Sequence, residues 1–366
     1  MLAGKKLKEE ARLSMDVVDL FNLVGNLIFV VVVLLAVMEG IGYALMRYWK
    51  KYRWAANYYS ALLALLPFSA MLYVNRSWAR LCLLEFDHAL DDCARAIKHN
   101  DQLAMAYNNR AAAYMGLYRF RDAYWAAQHA IQLDDKLWAA YYNRGCALHG
   151  LKDYEAAIKD FDVCIEQRPG SADQYFSRAN CYLHLQQYER AIEDYSSSID
   201  LMAHAWNAYH NRAYAYLALN DIERGYADIC KSCEFHPTEL LHYLLKTWCE
   251  LCLDPRLTPE RVAEFAALSV VQTIQPSRRH SYQGMLAWMR GEYEQALAQF
   301  ELGIESDPYA NEANYFWSGM ALAALGRYEE AKKAIDYALQ RSMSPFFLKA
   351  LALLKEDHAA FIEQYV

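Results

Sequence analysis

Four cysteines carry the sharpest chemical spacing in this 366-residue chain: Cys230-Lys-Ser-Cys233, fifteen residues, then Cys249-Glu-Leu-Cys252, with His236 and His242 between the pairs. Two CxxC pairs at that separation match a tetrahedral zinc site, in which four thiolates hold the ion. The same dithiols suit a redox sensor, although no neighbouring group marks a depressed thiol pKa. Both pairs fall in stretches of helical periodicity and lack the glycine knuckles of zinc ribbons, which favours cysteine as a small core hydrophobe and no bound cofactor. Elsewhere the chain has no glycine-rich phosphate loop, nucleophile elbow, His-Glu-x-x-His or kinase signature, and its eleven histidines are scattered. A non-enzymatic protein is expected.

A second set of charged residues recurs at a fixed interval. Arg76, Arg110, Arg144, Arg178 and Arg212 are 34 residues apart, each three residues after a tyrosine. A matching column downstream supplies Asp92, Asp160, Asp194 and Asp228, with Ala126 as the exception. Partly buried charges are normally paired, so a structural Arg–Asp ladder between helices is the economical reading. The alternative is an arginine ladder facing a groove and binding anionic ligands.

The elements that must position these residues follow from the same period. Tyr73-x-Asn75-Arg76, Tyr107-x-Asn109-Arg110, Tyr141-x-Asn143-Arg144, Tyr175-x-Ser177-Arg178 and Tyr209-x-Asn211-Arg212 keep one register without a gap. Within one unit, Tyr141, Leu148 and Leu151 share one helical stripe and Ala157, Phe161, Cys164 and Ile165 another, with Gly150-Leu-Lys-Asp153 as the turn. Such a unit buries a core only against its neighbours. Cys233 falls in the column of Ile97, Ile131, Ile165 and Ile199, a core position, and Cys230 in that of Ala94, Gln128, Asp162 and Ser196.

These motifs resemble the tetratricopeptide repeat (TPR) family, whose pattern is Trp-x-x-Leu-Gly-x-x-Tyr, then Ala-x-x-x-Phe, then Pro. The arginine ladder stands where that family usually has a buried leucine. The resemblance implies an all-α solenoid of about eight TPR-like helical hairpins. Five regular units cover 70–239, a degenerate one 240–277, two further units 278–345 and a capping helix 346–366.

The N-terminus differs in kind. After a flank at 1–19, residues Leu20 to Met38 are uncharged, about the ~19-residue length that crosses a ~30 Å hydrocarbon layer. A single transmembrane helix is expected over 20–46, followed by a basic and aromatic juxtamembrane helix over 47–69 that includes Arg47, Trp49, Arg53 and Trp54. A second uncharged run, 55–74, leaves a two-span hairpin as an alternative, but its end is in register with the first repeat, which favours one span, and Pro67 is expected to open that repeat's helix. Acidic residues in the leader disfavour a cleaved signal peptide. Equal Lys and Arg counts on the two flanks leave the charge rule tied. Nine cysteines without a disulfide pattern tilt the repeats toward the cytoplasm, giving a single-pass membrane protein.

Composition separates the chain electrically. Residues 1–53 hold eight basic and five acidic side chains, +3, which leaves −10 on the remainder to reach the net −7. An acidic repeat region is a poor polyanion binder, so no nucleic-acid partner is expected. What remains is the concave groove, lined in TPR proteins by the first helix of each unit. Here it would present Asn108, Asn109, Tyr142, Asn143, Phe176, Asn180, His210, Asn211 and Tyr214, with amides for a peptide backbone and aromatics for its side chains. The lysines of a C-terminal-carboxylate clamp are missing. The leading reading is a membrane-anchored TPR scaffold that binds a peptide or helix of a protein partner. The alternatives are a metal- or redox-responsive protein built on the CxxC pairs, and an envelope assembly factor with its repeats outside the cytoplasm.

Overall fold

The computed structural model describes residues 40–44, 46, 50–237, 276–306 and 312–341, with isolated positions at 243–267, 358 and 361. The chain divides into two units, one ending at Cys164 and the other beginning at Ile165. Both are stacks of antiparallel helical hairpins. The first holds α1 (Tyr52–Leu65), α2 (Ala70–Cys82), α3 (Phe86–His99), α4 (Ala104–Gly116), α5 (Phe120–Leu133), α6 (Trp138–Gly150) and the greater part of α7 (Tyr154–Gln167). The second holds α8 (Ala172–His184), α9 (Tyr188–Leu201), α10 (Trp206–Ala218), α11 (Ile222–Phe235), α12 (Pro276–Met289), α13 (Tyr293–Ser306), α14 (Glu312–Ala324) and α15 (Tyr328–Arg341).

Small residues allow the two helices of each hairpin to approach. The alanine of each second helix's Ala-x-x-x motif is fully buried at Ala89, Ala123, Ala157 and Ala191, and the position four residues on is equally buried whether it is Cys93, Ala127, Phe161 or Tyr195. Size on one helix is matched by absence on the other. Phe161 sits where Gly145 faces it, and a Cβ built on Gly145 would lie 2.9 Å from the ring.

The turn inside each hairpin is as periodic as the helices. Leu84, Tyr118, Lys152, Gln186 and Asn220 all have φ between 57° and 68°. This left-handed residue lets the next amide return to the helix just ended, as Asp153 N does to Leu148 O at 2.9 Å. In the last two hairpins among the described residues Gly291 and Gly326 take this role at φ 77° and 76°.

At the front of the first unit the boundaries move. Residues 40–44 and 46 are helical, Met46 is buried, and a Cβ on Gly42 would collide with the Tyr59 ring. Tyr59, Leu62 and Leu63 of α1 join the same core as Leu72, Tyr73 and Val74 of α2. The end of the stretch assigned to a membrane helix, and the juxtamembrane helix after it, therefore pack as a further hairpin layer on the first repeat. The first repeat's helix begins at Ala70 behind Ser69, whose hydroxyl accepts from Leu72 N, and Pro67 lies in the preceding turn.

The apolar run Leu20–Met38 lies outside the described residues, as do most of the degenerate unit at 240–277 and most of the capping segment at 346–366. No helix among the described residues is long and apolar enough to cross a membrane. From the C-terminal segment, Phe361 is buried and stacks on Tyr328 with ring centroids 5.3 Å apart.

Candidate functional site

Periodic polar side chains on the first helices meet a second set on the helices that follow. Arg144 leaves α6 and forks onto Asp160 of α7, Nε donating to Oδ2 at 2.8 Å and the terminal nitrogen to Oδ1 at 2.5 Å. Arg76–Asp92, Arg178–Asp194 and Arg212–Asp228 repeat the geometry, with Nε to Oδ2 at 2.9, 2.7 and 2.7 Å. Asp92 also accepts from Arg80 at 2.8 Å. The four carboxylates are buried and the arginine side chains are 12–20% exposed. The guanidinium of Arg144 is held above its ordinary pKa by its hydrogen bonds to Asp160. Each ladder arginine also lies over the tyrosine three residues before it.

A third group completes three of these pairs. The remaining guanidinium nitrogen of Arg76, Arg144 and Arg212 donates to Ser60, Gln128 and Ser196, each sixteen residues earlier in the chain. These acceptors are not among the site residues expected from sequence, yet the 34-residue register marks them, since all three occupy one column.

The asparagines expected to face a groove bind within the stack. Asn109 is buried and donates to Val74 O at 3.1 Å and Ser77 Oγ at 2.9 Å on the first helix of the previous hairpin. Asn143 donates to the Asn108 side chain at 2.9 Å and backbone carbonyl at 3.3 Å. In the second unit Asn180 Oδ1 accepts from Asn211 at 2.9 Å and from the Tyr195 hydroxyl at 2.6 Å. Amides in these columns register one first helix against the next, because a buried amide left without a partner costs free energy. The aromatics remain at the helix faces. Tyr142, in the first unit, is half-buried with its ring 5.8 Å from Phe161. In the second unit Phe176, His210 and Tyr214 are half-buried, and the Phe176 ring lies 5.8 Å from Tyr195.

The cysteine pairs are split by their surroundings. Cys233 and Cys249 are buried, and burial pushes the Cys233 thiol up to about 11, the protonated form of a core residue. Cys249 belongs to the core cluster that Leu217 and Ile229 share with Trp288, Phe300 and Phe316. Cys230 is half-buried, while Cys252 and His242 lie outside the described residues. Among the described residues no three His, Cys, Asp or Glu side chains cluster as metal ligands would.

With hairpin geometry and register established, the fold is that of a helical repeat protein. The chain carries tetratricopeptide repeats: the family model described as tetratricopeptide repeat matches residues 139–171, 172–201 and 313–342. Among solved structures the chain is similar to PilF of Pseudomonas aeruginosa, at 14% identity over 58% of this chain and 96% of that one, with a TM-score of 0.51. A tetratricopeptide repeat protein from Parabacteroides merdae matches at 18% identity over 78% and 97% of the two chains, TM-score 0.44. YrrB, described as a TPR protein with an unusual peptide-binding site, matches at 16% identity over 51% and 97%, TM-score 0.43. No curated protein matches the chain. Identities this low speak to fold alone.

Proposed function

We propose that this protein is a non-enzymatic interaction scaffold whose first-helix faces take a peptide segment or helix of a protein partner. TPR proteins are generally protein-interaction scaffolds. The observation that carries the reading is the division of labour on those helices. The asparagines are spent on holding neighbouring first helices in register, leaving half-buried aromatics as the surface between them. A rigid face with aromatic anchors loses little entropy on binding. Main-chain recognition by the asparagine amides, as anticipated from sequence, has less to offer, because those donors are engaged.

The apolar run Leu20–Met38 supports a second part of the proposal, attachment to a bilayer through one span with the repeats in the cytoplasm. Anchoring makes later encounters effectively intramolecular, so the scaffold acts by raising local concentration. The test uses the full chain in its native cells. A partner recovered by affinity capture is lost on Tyr142→Ala or Tyr214→Ala at unchanged thermal stability, while deletion of 20–38 moves the protein to the soluble fraction. Capture indifferent to both aromatic substitutions removes the groove reading; retention in the membrane fraction after the deletion removes the anchor.

A further inference from the structure

Arg110 breaks the pattern on both sides at once. The residues sixteen before the five ladder arginines are Ser60, Ala94, Gln128, Asp162 and Ser196, and those sixteen after are Asp92, Ala126, Asp160, Asp194 and Asp228. For Arg110 alone, both positions are alanine. Its sisters Arg76, Arg144 and Arg212 use both columns, a carboxylate taken by the fork and a neutral oxygen by the third nitrogen. Among the described residues nothing replaces these partners at the Arg110 Nε. Its Nε is buried with no protein acceptor, and among the described residues it forms no ion pair. The guanidinium instead lies 4.8 Å over its own Tyr107, nearer than the 5.4–5.9 Å of the other four tyrosines.

Among the described residues no counter-ion pairs with Arg110. Cys93, which feels the charge of Arg110, has its thiol pushed up to about 12 by burial and stays neutral. On the α5 side Ala126 is buried, but on the α3 side Ala94 is exposed, so that side is open to solvent. A cation partly withdrawn from water without a partner is costly, and a sequence that keeps it while removing both acceptors calls for a ligand from outside.

We propose that Arg110 is a receptor for an external carboxylate, taken at the place that Asp92, Asp160, Asp194 and Asp228 fill for the other ladder arginines and reached past Ala94. A carboxylate is preferred to other anions because the sister sites accept one with a two-point fork. Its source is a small free carboxylate or the acidic side chain of a bound protein. The site lies where α4 meets α3 and α5, and it does not depend on the groove reading.

The test is thermal unfolding of the full chain in sodium acetate against sodium chloride at equal ionic strength, with sodium phosphate as a third series. Acetate raises Tm saturably, by about 1–2 °C at several times its Kd, while chloride and phosphate do not. Ala126→Asp supplies the carboxylate internally; it raises Tm in chloride and abolishes the acetate response, and because it stabilises the fold it remains measurable. Arg110→Gln also loses the response. A labelled glutamate-rich peptide separates the sources. Binding that disappears in Ala126→Asp assigns a protein side chain, and no peptide binding beside an intact acetate response assigns a small carboxylate. An acetate effect no larger than that of chloride, one that survives Ala126→Asp, or a rise seen with phosphate alone overturns the proposal.

Discussion

Removing one carboxylate from the ladder tests how the repeats tolerate charge in their interior. Asp160 is 5% exposed and receives two bonds from Arg144, at 2.8 and 2.5 Å. Asp160→Ala deletes both and leaves Arg144, itself 18% exposed, with Gln128 as its remaining hydrogen-bonding partner in the ladder. Breaking a buried pair from one side costs about 3–5 kcal/mol, because the surviving charge is desolvated and uncompensated. The residual exposure and the Gln128 bond place this case at the low end, about 3 kcal/mol. Arg144→Met with Asp160→Leu removes both charges and is expected to recover most of the loss, since well-packed apolar pairs often equal a buried ion pair. The assay is urea unfolding followed by circular dichroism for the wild type, Asp160→Ala, Arg144→Met, Asp160→Leu and the double variant of the last two. The coupling energy of the cycle should be about 2 kcal/mol or more. A loss below about 1 kcal/mol with negligible coupling would mean that the ladder behaves as screened surface pairs, and the argument from burial would fail.

Asn109→Ala removes the bonds to Val74 O and Ser77 Oγ and should cost about 1–2 kcal/mol in the same unfolding assay, whereas an exposed polar substitution costs a few tenths. Gly145→Ala places a methyl 2.9 Å from the Phe161 ring; overpacking of about 1–3 kcal/mol is expected, and Phe161→Leu in the same chain should relieve part of it. Lys152→Gly, at φ 66°, should raise stability by roughly 0.5 kcal/mol, the left-handed strain removed exceeding the backbone entropy that glycine adds. Burial pushes Cys93 and Cys164 up to about 12 from the ordinary value near 9. Because unfolded thiols ionise first, their contribution to stability is constant below about pH 9 and falls between 9 and 12, which pH-dependent denaturant midpoints would show and Cys93→Ala would diminish.

Much of the fold is written in the 34-residue period, because every unit must present the same faces to neighbours of its own kind. The ladder of Arg144 and its sisters and the partnership with Asp160 follow from spacing alone, and so does the core setting of Cys233. The interval also holds the second acceptors Ser60, Gln128 and Ser196, which appear once the column sixteen residues before each arginine is read. Spacing cannot say which way a side chain turns. Asn109 and Asn143 sit in register beside residues expected to face a groove, and only the packing of successive first helices shows that their amides reach back to the previous hairpin. The same holds for Gly42, Met46 and α1. An apolar stretch suits a bilayer or a protein core equally well by composition, and contact with Tyr73 and its neighbours decides in favour of the core for those residues. At Arg110 the two sources meet. Sequence supplies the charge and the alanines at 94 and 126, and the tertiary structure adds that Nε is buried without an acceptor, which turns a gap in a pattern into an unbalanced charge.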